Sequence, residues 1–502
     1  MSQAPLILAM DQGTTSSRGL VFNQAGEIVA SSQQEFEQHY PADGWVEHDP
    51  ADLWRTSIET AQKAVADAEA TGGRVETIGI TNQRETVLIW DRATGEPIGN
   101  ALVWQDRRTA RACASLKDDG YESMVSAKTG LLLDPYFSAS KIAWLLANID
   151  GARARAEAGE LAFGTVDTFL VWKLTGGRSH VTDETNASRT SLFNIHEDAW
   201  DQDLLNLFGI PASLLPEVKP SATDFGETEP KLFGRAIPIQ GIAGDQQAAA
   251  FGQGCTKAGM AKSTYGTGCF LLMHTGTEAI TSSNRLLTTR ACRTGGAPAF
   301  ALEGSIFIAG AVAQWLRDAL QIIDESPETE AIAAELDSNG GVYLVPAFTG
   351  LGAPHWDAEA RGAVYGLTRQ SGRAEFVRAA LESVGYQTAD LLKALRSDGA
   401  VVGTVRIDGG MSQNNWLAQF ISDVADAPLE RPANVETTAL GAAKLAGIQA
   451  GIWPDDESLD ALSGGMTSFV PKMATADRKA LLREWDIAVK TTRYREELRA
   501  KA

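Results

Sequence analysis

The chain has 502 residues, of which 44% are hydrophobic and 22% are charged, a composition typical of a globular protein with a large buried core. Its 44 Lys and Arg residues and 64 Asp and Glu residues give a net charge of −20. Such a surface repels nucleic-acid backbones and anionic lipids, so we expect no nucleic acid and no membrane as a partner. A small anionic ligand is compatible with this charge, because a few local donors outweigh distant charges.

Cysteine content and hydropathy indicate a cytoplasmic protein. The four cysteines (Cys113, Cys255, Cys269 and Cys292) lack the spacing of a metal site and are too few for a disulfide framework in so long a chain. No basic region precedes the apolar run at the N-terminus, so this segment does not read as a signal peptide. No stretch of the sequence approaches the roughly 20 apolar residues of a membrane-spanning helix. We therefore expect free thiols and no stable membrane insertion.

Both halves of the chain begin with the same pattern of strand, short polar loop and strand. In the first half, strands are predicted at 6–10 and 18–22, and a third at 27–32 completes an antiparallel meander. In the second half, strands are predicted at 259–263 and 269–273. This recurrence indicates two related α/β domains that meet at a cleft, with one loop on each side of it.

Local signals also predict two helices and a domain boundary. A helix is predicted to begin at Pro50, because proline is favoured at the first helical position and apolar residues follow at helical spacing. Glycine and small residues accumulate near 252–259, so we predict domains at 1–252 and 253–502. The segment 476–499 is predicted to form an amphipathic helix.

The loop of the first half has the composition of a phosphate-binding loop. Gly13 lets successive backbone N–H groups face outward, and Thr14, Thr15 and the neighbouring serines add hydroxyl donors. Arg18 adds a planar cation suited to phosphate, and Asp11 supplies the hard oxygen ligands that Mg²⁺ prefers. The same residues also suit an ordinary polar hairpin, and on pattern alone the two interpretations have equal weight.

The loop of the second half, 263–268, repeats this composition without a carboxylate, and by itself it favours a glycine-rich hairpin. Two such loops that face each other can nevertheless clamp a polyphosphate. No Gly-x-x-x-x-Gly-Lys-Ser/Thr motif occurs, which excludes a Walker-type phosphate site.

Further polar segments lie between or after predicted strands. Asp245 follows the strand predicted at 237–242 and is either a functional carboxylate at the domain junction or a helix N-cap. The adjacent residues Arg84 and Glu85 also suit a weak surface ion pair. The segment 408–410 ends a strand in glycine, which either lets a flat ligand approach the backbone or forms a plain turn.

Taken together, these segments resemble the FGGY carbohydrate kinases from about residue 6 to about residue 453. Each motif alone is weak evidence, but their joint order along the chain is highly specific. The segments 82–86 and 134–137 are typical of family members that phosphorylate glycerol rather than pentuloses or gluconate. The resemblance rests on the segments 11–18, 81–86, 104–109, 134–138, 241–247, 265–270 and 408–410.

The resemblance implies two actin-like (ribonuclease H-like) α/β ATPase domains that flank a central cleft. It also implies MgATP as the phosphoryl donor and glycerol as the acceptor, with sn-glycerol 3-phosphate and ADP as products. Asp245 would be the general base, and Asp11 would bind Mg²⁺ through its waters. We also expect a homo-oligomer, either a dimer or a tetramer.

Further site residues are implied by the same resemblance. On the acceptor side they are Arg84, Glu85, Tyr136, Asp245 and Gln246, with Trp104 and Phe270 packed on the carbon backbone. On the nucleotide side they are Thr14, Thr15, Ser16, Arg18, Thr267, Gly310, Gln314, Gly410 and Asn414.

The sequence departs from some bacterial family members in a segment that serves their regulation. Those members bind fructose 1,6-bisphosphate through a glycine-rich basic loop before the strand predicted at 237–242, and others carry a phosphorylatable His there. Here the segment 229–235 keeps few of the glycines, and no His lies between His196 and His274. We therefore expect neither form of control.

Two other functions are compatible with these motifs. One is a kinase for another polyol or a ketose, which would need a longer acceptor site. The other is a nucleotide-gated binding protein, as among the heat-shock ATPases and actin that share this fold. Such proteins need a peptide-binding domain or a polymer surface, and only 427–502 follows the second nucleotide segment.

Overall fold

The computed structural model describes residues 4–357, 359–434, 436–454 and 465–501. Through residue 252 the chain mixes strands and helices, with a short 3-10 helix at Ala212–Leu214. The elements of this half are β1 (Ala4–Gln12), β2 (Ser16–Phe22), β3 (Ile28–Glu35), β4 (Glu47–His48), α1 (Pro50–Glu69), β5 (Gly73–Asn82), β6 (Leu88–Asp91), β7 (Ala101–Leu102), α2 (Ala110–Asp118), α3 (Glu122–Thr129), α4 (Ser138–Asn148), α5 (Ala152–Glu157), β8 (Leu161–Gly164), α6 (Val166–Leu174), β9 (Val181–Asp183), α7 (Glu184–Ala187), β10 (Phe193–Asn194), β11 (Ala199–Trp200), α8 (Gln202–Phe208), β12 (Glu217–Lys219), α9 (Pro230–Phe233), β13 (Ile239–Gly244) and α10 (Asp245–Gly252).

The second half has a longer sheet and longer helices, with a short 3-10 helix at Gly410–Gln413. Its elements are β14 (Ala261–Tyr265), β15 (Cys269–Gly276), β16 (Leu287–Arg290), β17 (Phe300–Ile306), α11 (Gly310–Asp318), α12 (Glu328–Ala334), β18 (Tyr343–Val345), β19 (Ala363–Tyr365), α13 (Arg373–Ser397), β20 (Val405–Asp408), α14 (Asn415–Ala425), β21 (Leu429–Pro432), α15 (Thr437–Gln449), β22 (Met466–Phe469) and α16 (Thr475–Lys501).

Five strands form the main sheet of the first half, in the order β13-β5-β1-β2-β3. The expected antiparallel meander of β1, β2 and β3 is confirmed, and β5 and β13 add to it in parallel with β1. In this register Gln12 pairs with Asn82, and Asn82 pairs with Gly244. The carboxyl ends of the three parallel strands therefore lie at one edge, where ligands bind in open α/β sheets.

One face of this sheet packs against α1, which begins at Pro50 as predicted. The Asp49 carboxylate accepts a hydrogen bond from the Ala51 N–H (2.8 Å) and so caps the helix. The apolar stripe of α1, including Leu53 and Val65, is buried against the sheet. The local sequence thus determines both where this helix begins and which side of it faces the core.

The other face of the same sheet packs against α15, which comes from the second half of the chain. Ile7 and Ala9 of β1 lie in one apolar cluster with the alanines and Leu440 of α15. This helix approaches the sheet closely, since a Cβ atom on Gly79 would lie only 2.1 Å from the carbonyl oxygen of Ala442. The core of the first half is therefore completed by residues from the second.

Seven strands form the sheet of the second half, in the order β16-β17-β15-β14-β20-β21-β22. β14 and β15 form the predicted hairpin, and β20 runs parallel to β14, so that Thr264 pairs with Asp408. The predicted terminal helix is confirmed as α16, and its Trp485 stacks on Tyr386 of α13 with ring centroids 5.3 Å apart. The hairpin turn and the end of β20 thus meet at one edge of this sheet.

The cysteines and the helices bear on two of the sequence-based expectations. All four cysteines are free, and three of them are buried. Within the described ranges, none of the helices combines the length and the apolar character needed to cross a membrane. The division into domains at 1–252 and 253–502 stays a prediction.

Candidate active site

The first polar loop joins β1 to β2 at the edge where the parallel strands end. The Gly13 N–H donates to the Ser16 carbonyl oxygen (2.9 Å), and the Gln83 side chain donates to the Gly13 carbonyl oxygen (3.2 Å). Thr15 is exposed, whereas Thr14 and Ser16 are half-buried. The backbone of the loop is therefore fixed while hydroxyl groups at its tip stay accessible.

Asp11 and Arg18 form an ion pair at the base of this loop. The Arg18 guanidinium also donates to Glu436 Oε2 (2.5 Å), which lies just before α15. Burial raises the pKa of Asp11, Arg18 lowers it, and the nearby Asp245 carboxylate raises it further. The site thus gathers carboxylates in excess over its cation, and a bound cation would offset this negative charge.

Arg84 and Glu85 are buried, with side chains 2% exposed, so the surface ion-pair interpretation is wrong. The terminal nitrogens of Arg84 donate to Glu303 (2.7 and 2.8 Å), and its Nε lies 3.3 Å from Asp245 Oδ1. Glu85 accepts a hydrogen bond from Arg189 Nε (2.6 Å), and its backbone has a φ of 62°. Buried charges persist only where they are paired, and each of these is paired.

Asp245 is the first residue of α10, and the structure places Gly244 at the N-cap. The Asp245 carboxylate accepts a hydrogen bond from the Gln246 N–H (2.7 Å) and remains 36% exposed. Arg84 borders it on the inner side. One carboxylate therefore faces both the buried arginine and solvent.

Trp104 links the first polar loop to the segment that carries Tyr136. Its Nε1 donates to Thr14 Oγ1 (3.0 Å), and its ring meets Tyr136 edge-on with centroids 5.6 Å apart. Lys141 is buried and donates to the carbonyl oxygens of Pro135 (2.6 Å) and Tyr136 (2.7 Å), which fixes this segment. Burial raises the pKa of the Tyr136 phenol, which therefore stays protonated.

Phe270 lies on the face of the second sheet that borders these residues. The antiparallel register of β15 and β17 pairs Leu272 with Glu303 and Phe270 with Ser305. Because alternate residues of a strand share a face, Phe270 and Glu303 lie on the same side of the sheet. Glu303 contacts Arg84, so this face is directed towards Arg84 and its neighbours.

The nucleotide-binding candidates of the second half gather at the start of α11. The Gly310 N–H donates to the Gly266 carbonyl oxygen (2.8 Å), and the Ala311 N–H donates to the Thr267 carbonyl oxygen (3.0 Å). Gln314 is exposed one turn further along α11, on the same side of the helix as Gly310. The hairpin turn therefore lies directly against this helix.

Gly410 and Asn414 lie beside the same helix start. Gly410 begins the short 3-10 helix after β20, and Asn414 Oδ1 caps α14 by accepting a backbone N–H (2.8 Å). A Cβ atom on Gly310 would lie 3.6 Å from the Met411 side chain, so the two segments are in contact range. The structure brings all these candidates together, and their nucleotide-binding roles stay predictions.

Comparison with known proteins matches both halves of the chain. The N-terminal domain model of the FGGY family of carbohydrate kinases matches residues 6–252, and the C-terminal domain model matches residues 261–450. The chain belongs to the FGGY family of carbohydrate kinases. A curated glycerol kinase of Rhodospirillum centenum is 60% identical to this FGGY kinase over 98% of its chain and 99% of the relative. A glycerol kinase of Roseobacter denitrificans is 58% identical over 97% of this chain and 99% of the relative.

Solved structures share the fold of this FGGY kinase. The crystal structure of Plasmodium falciparum glycerol kinase with ADP superposes with a TM-score of 0.95 at 37% identity, covering 98% of this chain and 99% of the other. Gluconate kinase from Lactobacillus acidophilus has a TM-score of 0.88 at 20% identity, covering 98% of each chain, which is a likeness of fold alone. The expected actin-like kinase fold of two α/β domains is confirmed.

Three charged residues of this FGGY kinase were not singled out from the sequence: Arg189, Lys262 and Glu303. Lys262 is fully buried and donates to Gln246 Oε1 and to Thr264 Oγ1 (2.8 Å). Burial lowers its pKa. The signal that could have indicated Glu303 is a charge inside a mostly apolar strand, because such residues are seldom fully buried without a partner. Lys262 has no such signal, because its strand also contains Ser263 and Thr264.

The segment 229–235 of this FGGY kinase folds around the short helix α9. Arg178 pairs with Glu229. Arg235 donates to Glu69 (2.5 Å) and to the Val75 carbonyl oxygen (2.8 Å). Arg178 and Arg235 are therefore engaged in local contacts, whereas the Lys231 side chain is 76% exposed and lies 3.6 Å from Glu229.

Proposed function

We propose that this FGGY kinase transfers the terminal phosphoryl group of ATP to glycerol, forming sn-glycerol 3-phosphate and ADP. The observation that carries the proposal is the 55–60% identity to curated glycerol kinases over nearly the full length of both chains. The clustering of Arg84, Glu85 and Asp245 supports it, since a short polyol needs a donor and acceptors within reach of its hydroxyl groups.

The acceptor side provides both hydrogen-bond polarities. Arg84 would donate to one hydroxyl oxygen, and Glu85 would accept from another hydroxyl while Arg189 holds it in place (2.6 Å). The oxygen of the attacking glycerol hydroxyl would bond to the γ-phosphorus, and Asp245 would take the proton of that hydroxyl. The bond between the γ-phosphorus and the bridging oxygen breaks, and the electron pair leaves on ADP. Trp104 and Phe270 would pack on the carbon chain.

The donor side would hold the phosphates from two directions. Phosphoryl transfer depends mainly on positioning and on neutralising charge, rather than on covalent help from the protein. The first loop and the hairpin turn of the second half would supply these contacts, and the start of α11 and the segment after β20 would hold the nucleoside. The residues are Thr14, Thr15, Ser16, Arg18 and Thr267 for the phosphates and Gly310, Gln314, Gly410 and Asn414 for the nucleoside.

The carboxylates at the base of the first loop fit a magnesium ion. Mg²⁺ is usually bound through one or two carboxylates, several waters and substrate phosphates. Asp11 is buried beside Asp245 and Glu436, and these neighbours raise its pKa together with burial, so a divalent cation would stabilise its charged form. Asp11 would hold the ion, which when bound neutralises charge on the phosphates.

The test is ATP turnover with glycerol, xylulose and gluconate, and with no acceptor as the control. Glycerol should give the highest kcat/KM, because a site built to hydrogen-bond each hydroxyl rejects analogues that leave buried groups unpaired. A higher kcat/KM for xylulose or gluconate would refute glycerol as the acceptor. An ATP turnover that no polyol stimulates would instead favour a nucleotide-gated binding protein.

A further inference from the structure

Glu303 is a buried carboxylate that reaches from the second sheet to the acceptor residues of the first half. It lies in β17, is 0% exposed, and binds both terminal nitrogens of Arg84 at 2.7 and 2.8 Å. Arg189 approaches the same carboxylate at 3.4 and 3.5 Å. Burial alone would raise the pKa of Glu303, but Arg189 and Arg84 outweigh burial and lower the pKa to about 2. The group is therefore ionised throughout the neutral range.

The packing of β17 alone does not explain why a charge occupies this position. Moving two charges out of water is costly, and well-packed apolar residues of similar volume are often at least as stable as a buried ion pair. The neighbours of Glu303 along β17 are apolar or small, so an apolar side chain would suit the strand. A buried charge at such a place indicates a role in holding Arg84.

The side-chain hydrogen bonds of Arg84 engage its two terminal nitrogens, whereas its Nε edge faces the part-exposed Asp245 carboxylate. Glu303 binds Nη1 and Nη2, and Gln247 Oε1 also accepts from Nη1 (3.1 Å). The Nε atom faces Asp245 (3.3 Å) and Glu85 (3.8 Å). Because the guanidinium is planar and rigid, fixing both terminal nitrogens also fixes the direction of the Nε edge.

We propose that Glu303 is a positioning residue for acceptor binding, which holds the Arg84 guanidinium so that its Nε edge faces the acceptor hydroxyls. This inference rests on the proposed function. Glu303 belongs to the second sheet and Arg84 follows a strand of the first. A residue of the second half, Glu303, would therefore align Arg84 of the first half for acceptor binding.

The test compares Glu303→Gln with Glu382→Gln as a matched control. Glu382 is a glutamate of the same half that is also buried (1% exposed) and binds Arg378 (2.8 Å) on α13. Glu303→Gln keeps the shape but replaces one acceptor oxygen with a donor that opposes the guanidinium. Because a small displacement of a binding group can cost about 10²-fold, we expect that loss in kcat/KM for glycerol, through a raised glycerol KM. The ATP KM should stay unchanged.

Glu382→Gln separates positioning from folding. It should lower the melting temperature without moving the glycerol KM, because its ion pair lies within α13. Glu303→Asp keeps the charge but is too short to bind both nitrogens, so its glycerol KM should lie between those of the wild type and Glu303→Gln. If Glu303→Gln does not fold, the glycerol KM of Glu303→Asp decides whether Glu303 positions Arg84.

Several results would refute the inference. One is a parallel rise of the glycerol and ATP KM values in the Glu303 variants, and another is an unchanged glycerol KM. A third is a rise of the glycerol KM in Glu382→Gln to the same extent. The wild-type acceptor panel is measured first on the same preparation. If glycerol is not the preferred acceptor, the proposed function fails, and the same KM comparison on the preferred acceptor still decides the role of Glu303.

Discussion

Replacing Asp245 with asparagine tests the assignment of the general base directly. The change keeps the Oδ1 acceptor for the Gln246 N–H (2.7 Å) but removes the ability to take a proton. Arg84 keeps both of its hydrogen bonds to Glu303 (2.7 and 2.8 Å), so it stays in place when Asp245 loses its charge. We therefore expect a folded enzyme with a very low rate of transfer.

The structure separates the expected effects on rate and on stability. The Asp245 carboxylate is 36% exposed, and the buried Arg84 keeps Glu303 as its counter-charge, so losing the pair should change the free energy of unfolding by about 1 kcal/mol. Loss of a general base typically costs about 10²–10⁴-fold in rate, which raises the barrier by roughly 2.7–5.4 kcal/mol. The effect on kcat should therefore far exceed the effect on folding.

The assay measures kcat by ADP release at saturating glycerol and MgATP, with nucleotide affinity by calorimetry and the melting temperature alongside. Asp49→Asn is the matched control, because Asp49 also accepts a backbone N–H at a helix start (2.8 Å), but as the N-cap of α1. The control should keep both rate and affinity. A near-normal kcat in Asp245→Asn would refute the reasoning, and Glu85 would become the next candidate base.

Three further outcomes can be measured. Asp11→Asn should reduce turnover and weaken its dependence on Mg²⁺ while the glycerol KM stays constant; an unchanged Mg²⁺ titration would place the ion elsewhere. Fructose 1,6-bisphosphate should inhibit weakly or not at all, because the segment 229–235 keeps only one glycine and Arg178 and Arg235 are held in local contacts; saturable inhibition at fixed glycerol would reveal another site. Burial and the neighbouring Asp183 raise the pKa of Asp167 to about 7. Between about pH 4 and pH 7 the native state thus holds a proton that the unfolded chain has released, so stability should fall as the pH rises. Asp167→Asn should show a smaller fall between pH 5 and pH 7 by urea denaturation, and an identical fall would contradict the assigned cause.

The two polar loops could be predicted from the sequence because each is short and joins two neighbouring strands. Gly13, Thr14 and Arg18 belong to one hairpin, so their neighbourhood follows from local spacing. The partner of Arg84 could not be predicted in this way, since Glu303 is 219 positions away and lies in the other sheet. The contact of Arg18 with Glu436 could not be predicted either, because these two residues are 418 positions apart.

The fold shows the same distinction between local and distant information. Pro50 marked the start of α1 because capping depends on a few adjacent residues. The docking of α15 on the first sheet has no such signal. Its run of alanine, leucine and glycine indicates a buried helix without indicating what buries it. The partner follows only from the three-dimensional structure, for example from the close approach of Ala442 to Gly79.

The position of α15 also bears on how the protein is made on the ribosome. One face of the first sheet, with Ile7 and Ala9, is covered by a helix that is synthesised more than 400 residues later. Until Thr437–Gln449 has left the ribosome, that face remains open to water as an apolar surface of the kind that chaperones recognise. A nascent or truncated chain ending before Thr437 should therefore aggregate, even though it contains every strand of the first sheet.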